Sequence, residues 1–407
     1  MYKILQLIKL GARNIFRNKR RTFLTATVIG IGLAALIFLD AYLIGMKENI
    51  THRVTTTFLG EAQVHAEGFR LTREVENTVN DSEETIRFLE ESPAVAAYTM
   101  RAVSPCMLTS PRNASSVALY GIDTDSERKI SSIHRAITSG VFLDGNERAI
   151  LLGYDVAEDL DVAIGDHIVV TVAQAHTGDL MQDLLEVSGI FNFGDPSLDK
   201  TTAFVVLPTA QKMLGIGDDI HEIAILFDDT VPSEDFFAEA SAGENEALGW
   251  KDLMPSLSAM LEMIDYSIIT IEAILFTLVI FIIMNTLFMS IFERTTEFGI
   301  LRAIGTRPLQ LFALIIIEAG ALAALSVIIG TVIGMTLVTI VGITGISYAG
   351  LNVAGVTFSE PIYAVFHWRQ VVTFPAVVFV FTVAAAIYPA ISAARTIPVK
   401  ALQQIGK

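Results

Sequence analysis

Apolar residues in this chain gather into four long runs, and nearly all of its acid lies between the first run and the second. The runs cover 22–45, 266–292, 310–341 and 371–394, and each exceeds the roughly 20 residues that a helix needs to cross a bilayer. The intervening segment, 46–265, holds 38 of the 44 acidic residues but 14 of the 28 basic ones, a net of −24, while the remainder sums to +8. This pattern predicts four transmembrane α-helices in a 1+3 arrangement, with a large mixed α/β domain between helices 1 and 2.

Charge also sets the orientation. Residues 1–21 carry seven basic side chains and no acid, and basic flanks stay on the cytoplasmic side. Four spans return the tail, 395–407, to that side, and it carries Arg395, Lys400 and Lys407. The link 293–309 is then cytoplasmic, with Arg294, Arg302 and Arg307, and the loop 342–370 faces out with Arg369 as its one Lys or Arg. The N-terminal run is too long for the apolar core of a cleaved signal peptide and reads as an uncleaved anchor. Within 1–21, Ile4, Leu7, Ile8 and Ile15 recur at helical spacing among the basic residues, which predicts an interfacial helix on anionic lipid.

In the inserted domain, alternating or β-branched runs predict strands over 60–66, 95–108, 115–122, 149–152, 167–172, 184–191, 203–207 and 221–227. Helices are expected over 82–91, capped by Asp81 or Ser82, and over 155–160, 208–214 and 232–240, while the Gly- and Glu-rich stretch 241–249 reads as a loop. From Pro255 a helix is expected to run unbroken into the second span. Pro375 and Pro389 should bend or terminate the fourth. Small residues form stripes at four-residue spacing, Gly30 and Ala34 in span 1 and Ser326, Gly330 and Gly334 in span 3, where helices can approach closely.

Signals for catalysis are absent from the sequence. Its one Gly-Lys pair, Gly406-Lys407, ends the chain, so no phosphate-binding loop occurs. The seven histidines form no metal-binding spacing, no nucleophile elbow is present, and Cys106 is the single cysteine. The acidity argues against nucleic acid as a partner. Three acids fall within or near the spans. Asp40 and Glu272 lie near the outer ends, and Glu318 lies roughly nine residues into span 3, about 13 Å deep. A carboxylate at that depth usually faces protein or water, so Glu318 is expected to pair within the bundle, with a proton relay as the alternative.

The most distinctive local pattern is the cytoplasmic link, from Glu293-Arg294 through Glu297-Phe298-Gly299 to Arg302 and Gly305. Phe298, Leu301 and Ile304 recur at helical spacing, Gly305 can end a short helix, and Pro308 starts the next element. A short amphipathic helix of this kind suits a groove on a soluble partner.

The run E-R-x-x-E-F-G-I-L-R-A-I-G resembles the coupling-helix signature of FtsX-like permeases, the MacB and lipoprotein-releasing (Lol) type of ABC transporter. The flanks R-N-I-F-R-N-K-R-R-T and Y-P-A-I-S-A-A-R-T-I-P-V-K-A-L-Q are similar to the same family, as is L-L-G-Y-D-V-A-E-D-L-D-V-A-I-G-D within the domain. The stretch G-E-A-Q-V-H-A-E-G-F leans toward the lipoprotein-releasing branch (LolC and LolE).

This resemblance implies a non-catalytic permease of the bacterial inner membrane, paired with itself or a paralogue, whose domain is periplasmic. It would rest on a dimeric cytoplasmic ATPase that binds the ATP and magnesium. The long helices would carry ATP-driven motion to the periplasmic domains. Glu293, Arg294, Glu297, Phe298, Gly299, Arg302 and Gly305 would form the ATPase contact, with Phe298 as apolar anchor and Arg294 and Arg302 as charged contacts. Lipoprotein extraction from the outer leaflet is the expected activity. Leu36, Leu39, Leu43, Ile268, Ile271 and Leu275 are candidates to face cargo, and a periplasmic carrier or adaptor is a further possible partner. MacB-type export of peptides or small hydrophobic molecules, and mechanical signalling to a cell-wall hydrolase, are the alternatives.

Overall fold

A computed structural model describes residues 19–228, 234–347, 351–353, 356–358 and 361–395. Most of the interfacial helix expected over 1–21, and all of the tail except Arg395, lie outside them. The chain divides into two compact units. One comprises residues up to Asn49, Leu261–Ser347 and Pro361 onward; the other comprises Ile50–Met260 and Tyr348–Glu360.

The first unit contains four helices long and apolar enough to cross a membrane, here TM1 to TM4. TM1 is part of a helix over Lys19–Val54, well beyond the apolar run that ends at Gly45. Met46–Val54 loses hydrophobicity but contains neither Gly nor Pro, so nothing stops the helix where the grease stops. It passes into a π-helical turn, Thr55–Leu59, closed by Gly60 at φ 81°. There the Thr55, Thr56 and Thr57 hydroxyls donate back to the carbonyls of Thr51, His52 and Arg53, and such back-bonding loosens the regular ladder.

TM2 is the unbroken helix expected from Pro255, and it extends to Glu293. TM3 spans Pro308–Thr344. TM4 begins at Trp368 and runs through Pro375, but it breaks at Ala386 and resumes over Ile387–Ala394. Pro375 therefore does not terminate the span. The break follows from Pro389, which has no N–H to bond the carbonyl four residues back, at Ala385. The outer loop before TM4 is not wholly irregular, since Leu351–Val353 pairs with Val356–Phe358.

Among the described residues, the main sheet of the second unit has ten strands: β1 (Ala62–Ala66), β2 (Val95–Thr109), β3 (Ala114–Ile122), β4 (Ile137–Gly140), β5 (Ala149–Gly153), β6 (His167–Ala173), β7 (Leu180–Phe191), β8 (Thr202–Val206), β9 (Glu222–Phe227) and β10 (Asn245–Gly249). The 15-residue β2 serves two layers. Its first half pairs with β9, extending through β1 to β10; its second half pairs with β3 and β6. From β3 the pairing passes through β8, β5, β7 and β6 back to β2, so these six strands close on themselves. Strand β5 (Ala-Ile-Leu-Leu-Gly) is buried throughout because Ile150 and Leu152 enter one apolar cluster and Leu151 the other. Gly165 takes φ 87° in the expected turn before β6.

Two expectations for this domain are corrected. Residues 245–249, read as loop, form β10, because β1 exposes an edge whose backbone groups need a partner. The helix α1 (Ser82–Glu91) has no side-chain cap: Asp81 precedes it at φ 47°, without the cap hydrogen bond.

Candidate functional site

The link between TM2 and TM3 folds as a short helix over Thr295–Ala303, ended by Gly305 at φ 101°. No side chain lies near a Cβ built on Gly305, so its glycine answers to backbone conformation alone. Arg302 donates from Nη1 to the Thr306 carbonyl at 2.9 Å, bracing the turn that follows the helix. At the other end, Arg294 donates to Glu297 at 3.0 Å and to Glu318 of TM3 at 2.7 Å, with its guanidinium 5.3 Å from the Phe298 ring centre. Burial alone would lower the Arg294 pKa, but Glu318 and Glu297 outweigh it and hold the group above its ordinary value. Glu318 thus has its expected partner within the chain.

This geometry corrects the expected roles of two residues. Phe298 does not face a partner: it is 2% exposed, packed among Leu311, Ile315, Ala390 and Ala393 of TM3 and TM4. Arg294 is likewise committed to intrachain acids. Gly299 is also buried. The face turned outward carries Ile300 and Ile304, 44% and 78% exposed, with Ala303 and Gly305. The apolar stripe read from the sequence therefore divides. Phe298 seats the helix on its own bundle, Leu301 lies between, and Ile304 is presented.

The two small-residue stripes meet. A Cβ on Gly30 would lie 3.1 Å from the Gly330 nitrogen and the Ser326 carbonyl, and one on Gly330 would lie 2.7 Å from the Gly30 carbonyl. One turn further, a Cβ on Gly334 would stand 3.0 Å from Ile37 and 3.2 Å from the Ala34 backbone. TM1 and TM3 thus pack backbone to backbone, as small-residue stripes allow.

Two of the six candidate cargo-facing residues are buried within the chain. Leu36 is 1% exposed and Ile268 8% exposed, both within their own unit. Leu36 shares a helical face with Ile29, Leu33 and Ile37, and that face turns toward the other spans. Ile271 remains exposed, while Leu39, Leu43 and Leu275 are half-buried.

Sequence reasoning missed a buried charge cluster in the inserted domain. Arg101 sits where β2 passes from β9 to β3, with no exposed surface. It donates to both Glu127 oxygens at 2.9 and 2.7 Å, to Glu222 at 2.5 Å and to the Phe58 carbonyl at 2.7 Å, and it stacks 4.0 Å over the Phe58 ring. Burial would raise the Glu222 carboxyl, but Arg101 and His65 outweigh it and hold the pKa near about 2. The available signal was one cation inside an otherwise uncharged 15-residue strand. Arg101 fixes the π-helical turn that continues the TM1 helix.

Comparison with known proteins places these elements. Residues 22–242, more than half of the chain, match the MacB-like periplasmic core domain, and residues 269–398 match the FtsX-like permease C-terminal family. The lipoprotein-releasing system transmembrane protein LolE of Haemophilus influenzae is 22% identical over 408 residues, covering 95% of this chain and 96% of that one. Its counterpart LolC of Xylella fastidiosa is 23% identical over 422 residues, covering 97% and 98%. Among solved structures, the periplasmic region of MacB from Actinobacillus actinomycetemcomitans overlaps 48% of this chain and 92% of its own, at 12% identity and a TM-score of 0.34.

Proposed function

The chain belongs to the FtsX-like permeases with a MacB-like periplasmic core domain, and from that premise we propose that it couples a cytoplasmic ABC ATPase to the extraction of lipoproteins from the outer leaflet of the inner membrane. It is a permease of the LolC, LolE and MacB type, a multi-pass protein of the inner membrane. Its N- and C-termini are assigned to the cytoplasm by their basic flanks. ATP and magnesium belong to the partner ATPase, and this chain serves as a non-catalytic transmitter. Lipoprotein cargo is favoured because two relatives named for lipoprotein release match along nearly its whole length.

The observation that carries the coupling role is the seating of the cytoplasmic helix. Phe298 locks it to the ends of TM3 and TM4, and the Arg294–Glu318 pair ties it to TM3. A push on Ile300 and Ile304 is therefore received by helices that cannot slide past it freely. At the far end of TM1, the Arg101 cluster grips the turn that continues that helix, so displacement of the helix is delivered to the β2 strand. Ile300, Ala303 and Ile304 supply the apolar part of the ATPase contact, with Glu293 and Arg307 at its rim.

Purification of the tagged chain in mild detergent, with mass spectrometry of co-purifying proteins and lipids, tests this reading. Recovery of an ABC ATPase with acylated lipoproteins is expected, and a second permease would identify the pairing. Recovery of an ATPase with a periplasmic adaptor and no lipoprotein would replace the cargo assignment with export, and absence of any ATPase would overturn the coupling role.

A further inference from the structure

The outer ends of TM1, TM3 and TM4 are tied together by a buried polar knot. Residues 361–367 lead into TM4 as an extended segment. Ile362 pairs with Ile346, just past the end of TM3, through two backbone bonds of 2.8 and 2.9 Å, and both Ile362 and Ala364 are buried. Val365 then donates its N–H to the Ala41 carbonyl of TM1 at 3.0 Å. Two glycines admit the segment. A Cβ on Gly45 of TM1 would run into the Tyr363 carbonyl, and one on Gly342 of TM3 would lie 3.1 Å from the Ala364 carbonyl.

Gln370, in the first turn of TM4, closes the knot. It is fully buried. Its Nε2 donates to Asp40 Oδ2 of TM1 at 3.0 Å and to the Val365 carbonyl at 3.2 Å, while its Oε1 accepts from the His367 N–H at 2.9 Å. Both amide hydrogens and the amide oxygen are therefore in use. Asp40 is 1% exposed, so its carboxyl has no ready exchange of this donor for water. The ion pairs nearby differ in kind. Lys47–Asp265 and Arg369–Glu272 join TM1 and TM4 to TM2 with partly exposed members, and such pairs are screened. The bond from Gln370 to Asp40 is shielded and directional.

These contacts complete a route through the bundle. At the cytoplasmic ends, Phe298 seats the short helix on TM3 and TM4. Further out, the Gly30–Gly330 and Ala34–Gly334 contacts hold TM1 against TM3 by van der Waals packing, which sets their separation but supplies no directional bond. We propose that Gln370 is a positioning residue for coupling: through Asp40 it makes the outer half of TM1 follow TM3 and TM4 when the cytoplasmic helix is pushed. TM1 belongs to one helix that continues to Val54, so the half that Gln370 holds is the half that leads into the π-helical turn. The inference rests on the coupling role proposed above and is independent of the cargo.

The test uses the full-length chain with its ATPase in lipid nanodiscs. An energy-transfer donor is placed on the ATPase, and the acceptor either on Val372→Cys of TM4, at an exposed position, or on Leu43→Cys of TM1, at a half-buried one. The native thiol, Cys106, is buried and stays unlabelled. With the knot intact, both acceptors should shift when ATP is added. In Gln370→Met the amide is gone, and the TM1 response should be lost while the TM4 response persists. Asp40→Asn keeps an oxygen for the Gln370 amide, and both responses should survive. Because Gln370→Met strands a buried carboxyl, the double variant Asp40→Leu with Gln370→Met, which makes both partners apolar, separates positioning from folding. Its melting temperature should return toward the native value with the TM1 response still absent. A TM1 response in Gln370→Met or in the double variant would overturn the proposal, as would loss of that response in Asp40→Asn. A TM4 shift without a TM1 shift in the chain with the knot intact would overturn this inference alone. A complex in which neither acceptor shifts would overturn the coupling role, and the inference with it.

Discussion

The inserted domain buries Arg101 between two carboxyl groups, whereas Arg369 of the membrane unit is half exposed and pairs with one, and the two arrangements differ in consequence. In the domain, Arg101 touches Glu127 and Glu222 together and also donates to the Phe58 carbonyl. In the membrane unit, Arg369 donates to Glu272, while the buried Asp40 accepts from Gln370. The same side-chain types therefore make a buried joint in one region and a half-exposed pair in the other. What decides is burial. A fully satisfied buried network rigidifies, whereas a half-exposed pair is screened by water.

The comparison is broken most sharply at Arg101. Arg101→Met leaves Glu127 and Glu222 buried without their cation, and unfolding measured by circular dichroism should show a loss of about 3–5 kcal/mol. A loss below about 1 kcal/mol would mean that the cluster is no joint at all. Where TM1 meets TM3 in the membrane unit, tightness comes instead from missing side chains. Gly330→Val drives a methyl group toward the Gly30 carbonyl, and overpacking should cost about 2 kcal/mol in thermal stability of the detergent-solubilised protein. Arg369→Gln should cost less than about 1 kcal/mol at neutral pH, because that arginine is half exposed and its pair is screened.

Acid sharpens the contrast. The folded-state pKa of Glu222 is depressed, so its contribution is present above the ordinary carboxylate range and is lost as pH falls toward about 2. A pH series of unfolding curves should show the domain weakening on acidification, and Arg101→Met should flatten that dependence.

Much of this was legible from residue patterning. The four spans and eight of the ten strands follow from hydropathy runs and β-branched alternation, because burial on two faces leaves a compositional mark. Strand β4 (Ile-Thr-Ser-Gly) and strand β10 (Asn-Glu-Ala-Leu-Gly) left none. They are recruited as edge partners through backbone groups, which every residue possesses. In the cytoplasmic helix, spacing identified an apolar face but not what covers it. Phe298 and Ile304 look equivalent in sequence, and only the position of Ala390 and Ala393, nearly a hundred residues later, separates them. Glu318 shows the same division. Its depth demanded a partner, yet the identity of Arg294 depended on how the chain turns at Gly305.

The central claim is that the cytoplasmic helix divides its labour, holding its own bundle with Phe298 and presenting Ile304 to the ATPase. The most direct measurement compares Ile304→Asp with the native chain in reconstituted complexes, reading melting temperature, ATPase co-purification and cargo release together. The account predicts an unchanged melting temperature with at least a tenfold loss of ATPase association and of release, corresponding to more than about 1.4 kcal/mol at the interface. Full association and normal release by this variant would contradict it.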